Sequence, residues 1–275
     1  MAIKLIAIDI DGTLINDQRE ITPKTVAALK KASAAGVKVV LCTGRPMTGV
    51  EAYLEQLGVA NRDDEYVVSF NGGLAQSTSG NVIVDHSIAF NDYADWVNYC
   101  LKEGIHSQIE TRDYIYTTNQ NLSYYTIYES ELVSMPVRYR SMDEMARERD
   151  QYIIAKAMMV DKKAKIDRAL ADLHQGLRDR FSIVRSEDFY LEFMHPDASK
   201  GKTLKTLSEQ LGIKQDEVMA LGNAQNDNSM IEFAGIGVAM GNSIPATLAV
   251  ADVTVADNNH DGVAEAVNKY VFGNK

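Results

Sequence analysis

Residues 3–13 read IKLIAIDIDGT. The run from Ile3 to Ile8 is apolar apart from Lys4 and rich in β-branched side chains, and it is closed by two aspartates and a glycine. A short apolar run bounded in this way predicts a strand buried on both faces, as in the interior of a parallel sheet. A secretory leader would need roughly 7–15 uninterrupted apolar residues, and Asp9 and Asp11 break this one too early.

Working outward, Thr22-Pro23 reads as an N-cap followed by proline at the first helical position, with the helix ending at Gly36. VKVVLC (37–42) is a second strand that stops at Thr43, and a helix is expected over 47–57 with Gly58 as its stop. YVVSF (66–70) is a third strand, ending at Asn71. Strand, helix, strand, helix, strand at this spacing predicts a doubly wound, Rossmann-like α/β sheet.

From His86 to Met194 the rhythm changes. Amphipathic helices are expected at 91–104 and 161–176, capped by Asn91 and Asp161, with strands VRYR, IIAKAMMV, FSIV and FYLEFM among them. Tyrosines concentrate between Tyr93 and Tyr139; they read first as packing surface, with substrate-facing aromatics on a lid as the sharper alternative. After Lys200 the α/β alternation resumes through EVMALG, IGVAM and DVTVA. The expected organisation is a core domain over 1–85 and 196–275 with an inserted α+β cap domain over 86–195.

The chain has 275 residues, 45% hydrophobic and 24% charged, ordinary for a globular protein, and no apolar run is long enough to span a membrane. Its net charge of -10 disfavours nucleic acid and anionic membrane surfaces, which select basic footprints. Cys42 and Cys100, the only cysteines, are too few for a disulfide framework, so a reducing cytoplasm is expected. His86, His106, His174, His195 and His260 are scattered without metal-ligand spacing.

Four clusters can carry chemistry, three of them where a strand ends, which is where open α/β sheets bind ligands. In extended backbone Asp9 and Asp11 face the same way. Two converging carboxylates need a cation or a proton between them; one could attack phosphorus while the other moves protons, although Asp and Gly also suit a plain turn. Thr43-Gly44-Arg45-Pro46 offers a hydroxyl and backbone N–H groups suited to phosphate oxygens, or merely a strand-to-helix turn. Asn71-Gly72-Gly73 reads by default as a loop. Lys200-Gly201 and the run Gly222 to Asp227 supply a cation and oxygen donors, yet Lys200 alone reads as a surface lysine and Asp227 alone as a helix-start charge.

In their order DIDGT, TGRP, NGG, SKG, GNAQND and GVAMGN, these segments resemble the haloacid-dehalogenase-like (HAD) phosphatases along essentially the whole chain. More narrowly they resemble the Cof-type branch with a large cap, close to YidA-type sugar phosphatases. The resemblance implies Asp9 as nucleophile and metal ligand, Asp11 as general acid/base with its carbonyl on the metal, and Thr43 and Lys200 on the phosphoryl group. It implies backbone help from Gly44, substrate contacts from Arg45 and Asn71, and Asn226 positioning Lys200 or phosphate. Asp227 and Asn223 would complete a Mg2+ site, Asp227 directly or through water. Asn223 stands where the family usually has aspartate, which predicts weaker metal affinity.

The activity implied is hydrolysis of sugar phosphates or similar small metabolites. Phosphorylated cofactors such as pyridoxal phosphate or flavin mononucleotide are the rival substrates. A protein that only binds phospho-ligands is the rival class.

Overall fold

The computed structural model describes residues 2–273. The chain divides into two compact units: one comprises the residues up to Arg45, Val50–Asp85 and those from Ser199 on, the other Pro46–Gly49 and His86–Ala198.

The first unit opens with strands β1 (Leu5–Ile8), β2 (Lys38–Cys42), β3 (Tyr66–Ser69), β4 (Leu74–Ser77) and β5 (Val82–Asp85). The second unit holds β6 (Ser107–Glu110), β7 (Ile115–Thr117), β8 (Val137–Tyr139), β9 (Lys156–Val160), β10 (Ser182–Glu187) and β11 (Tyr190–Met194). The chain then returns to the first unit with β12 (Val218–Gly222), β13 (Ile236–Ala239) and β14 (Val253–Thr254).

In the first unit the strands lie in the order β14-β13-β12-β1-β2-β3-β4-β5, parallel from β14 to β3, with an antiparallel edge of β4 and β5. β1 through Ile8 is fully buried, as a strand covered on both faces must be. One half of the sheet winds outward from β1 through β2 and β3, the other from β12 through β13 and β14, so the winding reverses between β1 and β12. That reversal opens a crevice at the carboxyl ends of the strands. The register pairs Ile8 with Leu221 on one side and Leu41 on the other, which brings Asp9, Gly222 and Cys42 to one level.

Local chemistry explains most element boundaries. Thr22 Oγ1 accepts the N–H of Thr25 and Pro23 opens the helix Pro23–Ala34. The expected helix over 47–57 is broken: a short 3-10 turn, Met47–Gly49, precedes the helix Glu51–Leu57, which ends at Gly58 in the left-handed conformation.

The second unit is a six-stranded sheet ordered β10-β11-β9-β6-β7-β8, antiparallel except where β7 meets β8. Trp96, Phe193, Ile109 and Ile166 lie in its core cluster. Asn91 does not cap its helix; the helix runs Phe90–Glu103 with Ala89 before it and no side-chain cap. Asp161 likewise stands outside the helix Lys163–Asp172, accepting N–H groups from Lys162 and His106. The expected tail of that helix is instead a separate turn, Gln175–Arg178, capped by His174 Nδ1. The helices Tyr124–Val133 and Met142–Arg147 and the strands β4 to β7 had no clear periodic signal.

Candidate active site

The residues singled out in the first unit converge at the strand ends. Lys200 opens the helix Lys200–Gln210 and is fully buried; its Nζ donates to Asp9 Oδ1 and to Asp227 Oδ1, each at 2.6 Å. A buried ammonium needs such partners, and here two carboxylates share one cation. Burial works to lower the Lys200 ammonium, but Asp9 and Asp227 outweigh it and hold it above its ordinary value. Burial, opposed by Lys200 and helped by Asp227 and Asp11, pushes Asp9 up to about 7.

Backbone geometry sets the lysine's position. Ser199 Oγ caps the helix by accepting the Lys202 N–H at 3.1 Å. Gly201 lies so close to the neighbouring helix start that a Cβ there would meet Ser229 O at 2.1 Å. The SKG segment therefore places a cation: serine starts the helix, lysine turns inward, and glycine permits the close approach.

Asp227 uses both oxygens. Oδ1 accepts from Lys200, and Oδ2 accepts the backbone N–H groups of Asn223 and Ala224, both at 2.9 Å. It thus ties the loop after β12 to the lysine. Thr13 Oγ1 donates to Asn223 Oδ1 at 3.0 Å, and Gly12, at φ +77°, faces the same amide. Asn242 Nδ2 donates to Gly12 O at 2.8 Å and pins the turn from its other side. Thr13 and Asn242 were not singled out as site residues, although both stand in the segments DIDGT and GVAMGN; a neutral side chain that holds an amide or a backbone carbonyl has no charge signature.

On the β2 side, Thr43 is buried and its Oγ1 accepts the N–H of Arg45 at 3.1 Å. Arg45 grips Asp11 with two bonds, Nε to Oδ2 at 2.9 Å and an Nη to Oδ1 at 2.5 Å. This fork geometry is the strong form of a carboxylate–guanidinium pair. After β3 the backbone passes through two successive left-handed residues, Phe70 (φ 52°) and Asn71 (φ 54°). Such strain in bulky residues recurs at functional sites. Here it sets the Asn71 amide beside Gly44, with Asn71 Oδ1 accepting from Asn226 Nδ2 at 3.0 Å. Asn226 thus contacts Asn71 rather than Lys200. Cys42, one residue before Thr43, is an inert thiol: burial pushes it up to about 12.

Among the described residues no group of three or more His, Cys, Asp and Glu side chains is arranged as a metal cage. A carboxylate (Asp9), a main-chain carbonyl (Asp11) and an amide oxygen (Asn223) could offer a hard, sparse donor set. It suits a magnesium ion that retains several waters, since such ions are held by one or two carboxylates rather than by full protein cages.

His195, at the end of the second unit's last strand, stacks on His86 with ring centroids 6.0 Å apart. Among the tyrosines, Tyr93 and Tyr116 are buried in the second unit's core and Tyr125 stacks on Phe189, so packing accounts for these three.

Comparisons with known proteins agree with this geometry. Residues 6–267 match the haloacid dehalogenase-like hydrolase family. A Streptococcus pyogenes protein named a "putative phosphatase" is 41% identical over 99% of this chain and 100% of its own. The Bacillus subtilis "putative phosphatase YxeH" is 40% identical over 98% of each. Among solved structures, a haloacid dehalogenase-like hydrolase from Bacteroides thetaiotaomicron superposes with a TM-score of 0.84 at 30% identity, covering 97% of this chain and 99% of its own. The chain therefore belongs to the haloacid dehalogenase-like hydrolases, as a phosphatase.

Proposed function

We propose that this phosphatase is a magnesium-dependent phosphomonoesterase for sugar phosphates or similar small metabolites, working through an aspartyl phosphate on Asp9. The observation that carries the reading is the buried Asp9–Lys200–Asp227 chain at the point where the sheet reverses its winding. A carboxylate held against an ammonium in a crevice is equipped to attack phosphorus while the cation neutralises the transferring oxygens.

In the first step Asp9 attacks phosphorus in line, and Asp11 protonates the departing oxygen. In the second, Asp11 takes a proton from water as the water oxygen attacks phosphorus and the bond from phosphorus to Asp9 breaks, which releases inorganic phosphate and restores Asp9. Because Arg45 grips Asp11 with both Nε and Nη, that pair must loosen before Asp11 can act as an acid. Substrate phosphate, competing for the guanidinium, favours the loosening. The Thr43 hydroxyl, the Gly44 backbone, Asn71 and Asn226 would orient the phosphoryl group. Magnesium, held by Asp9, the Asp11 carbonyl, Asn223 and, through water, Asp227, would supply further charge neutralisation. Both cysteines are free and buried, which suits a reducing cytoplasm.

A second reading is favoured by Asn223 itself: one carboxylate fewer at the metal would leave a protein that binds phospho-ligands without turning them over. The deciding experiment is phosphate release from sugar phosphates, pyridoxal phosphate and flavin mononucleotide across magnesium concentrations, for the native chain and Asn223→Asp. Turnover by the native chain supports the phosphatase reading. Activity confined to the variant supports the binding reading.

A further inference from the structure

The second unit buries an ion cluster that the chemistry above does not use. Lys156 on β9 sits inside the unit, with Nζ 3.3 Å from Glu110 Oε2 on β6, 3.7 Å from Glu192 Oε2 on β11 and 3.8 Å from Glu129 Oε1 on the helix Tyr124–Val133. All four residues are buried. Three carboxylates face one ammonium, and neither Glu110 oxygen makes a well-aligned hydrogen bond. Burying net negative charge without compensation is costly, so the cluster must acquire a cation or a proton. Tyr190 on β11 is also turned to it: its hydroxyl donates to Tyr125 O at 2.9 Å and lies against Glu129, with Tyr128 next along the helix.

The helix that closes the cluster is unusual in its own right. Its buried positions are Thr126, Glu129 and Val133, while Tyr124, Ile127, Tyr128 and Leu132 are exposed. Its seat on the sheet is mixed: Ser123 Oγ donates to Val160 O, Tyr190 holds Tyr125 and Glu129 meets Lys156, while Val133 packs with Ile115 and Met135 and Tyr125 stacks on Phe189. An element that leaves much of its apolar surface on the outer face depends on its polar contacts for a large part of its attachment, so a change of charge at Glu129 bears directly on it.

We propose that the helix Tyr124–Val133 is latched by a proton: it stays seated while the Glu110–Lys156–Glu129–Glu192 cluster carries one, and opens as that proton leaves. The proton resides on Glu110. Burial, opposed by Lys156 and helped by Glu129 and Glu192, pushes this side chain up to about 8 from an ordinary value of 4.5. When the helix lifts, Glu110 meets water and loses the proton readily. The closed form therefore binds the proton more tightly, and opening becomes easier as pH rises from the ordinary value toward 8, levelling off above it. Val133 O also accepts the Thr48 hydroxyl at 3.2 Å, so opening would release the segment Pro46–Gly49 as well. This inference goes beyond the phosphatase reading and does not depend on it.

Hydrogen–deuterium exchange on the full chain tests it. After division by intrinsic exchange rates, the opening constant of amides 124–133 should rise about a hundredfold from pH 5.5 to pH 7.5, tenfold per unit for one linked proton. The helix Phe90–Glu103 in the same unit should show no such slope. In Glu110→Gln the slope at 124–133 should vanish. A flat native profile, an unchanged slope in the variant, or one slope shared by both helices would each overturn the proposal. If the variant does not fold, the native comparison of the two helices decides alone.

Discussion

Asp9 and Asn223 stand on adjoining strand ends but differ in how plainly they could be read. Asp9 follows an apolar strand and precedes a second acid, and its burial against Lys200 is what a nucleophilic carboxylate requires. Replacing it with asparagine should lower kcat by about 10^4-fold or more, as removal of a nucleophile does elsewhere. The circular dichroism spectrum should stay unchanged, and a variant releasing phosphate near the native rate would remove Asp9 from its role. Asn223 is subtler, because its amide oxygen already receives Thr13. In Asn223→Asp a carboxylate can accept the same hydroxyl and still offer a second oxygen, so half-saturation by magnesium should move down on the order of tenfold. An unchanged magnesium requirement would mean that position 223 does not face the metal. The roles of Thr13 and Asn242 were not legible beforehand: one holds the Asn223 amide and the other the Gly12 carbonyl, and a neutral side chain gives no hint of which distant group it will meet.

At the scale of single elements, legibility followed the strength of local signals. The helix from Lys200 and the strands β1, β2 and β12 had caps, glycine stops or solid apolar runs, and they formed within a residue or two of expectation. The helix Tyr124–Val133 has a serine cap, Ser123, but no glycine stop, and its exposed side is apolar and its buried side partly polar, which blurs the 3.6-residue period. The short strand β6 mixes polar with apolar residues because it carries Glu110 of the buried ion cluster. The best-defined element also invites a direct test. Ser199→Ala should cost about 1 kcal/mol of stability through the lost cap. Gly201→Ala forces a Cβ onto Ser229 O and should cost about 1–3 kcal/mol. The glycine variant should also lower kcat, because the helix start that aims Lys200 must shift, whereas the serine variant should lower stability with little loss of kcat. Urea unfolding read beside phosphate release separates the two. Equal kcat for both variants would mean that the lysine tolerates movement of its helix.

Across the whole molecule, each unit has its own hydrophobic cluster, one around Leu5, Val40, Leu204 and Ala220, the other around Trp96, Ile109 and Phe193. Trp96 is the only tryptophan in the chain and is fully buried in the second unit. Its fluorescence therefore reports on that unit, while far-ultraviolet circular dichroism reports on helices and strands of both. Every proposed magnesium donor, Asp9, Asp11, Asn223 and Asp227, lies in the first unit. A ligand that binds only the folded form adds RT ln(1 + [L]/Kd) to stability, about 2.7 kcal/mol at a hundredfold excess over Kd. Magnesium should therefore shift part of the dichroism transition to higher urea and leave the Trp96 transition in place, so that two probes that need not coincide without metal separate further with it. If both transitions move together by the same amount, the units unfold as one cooperative body and the inserted unit draws its stability from the site as well as from its own core.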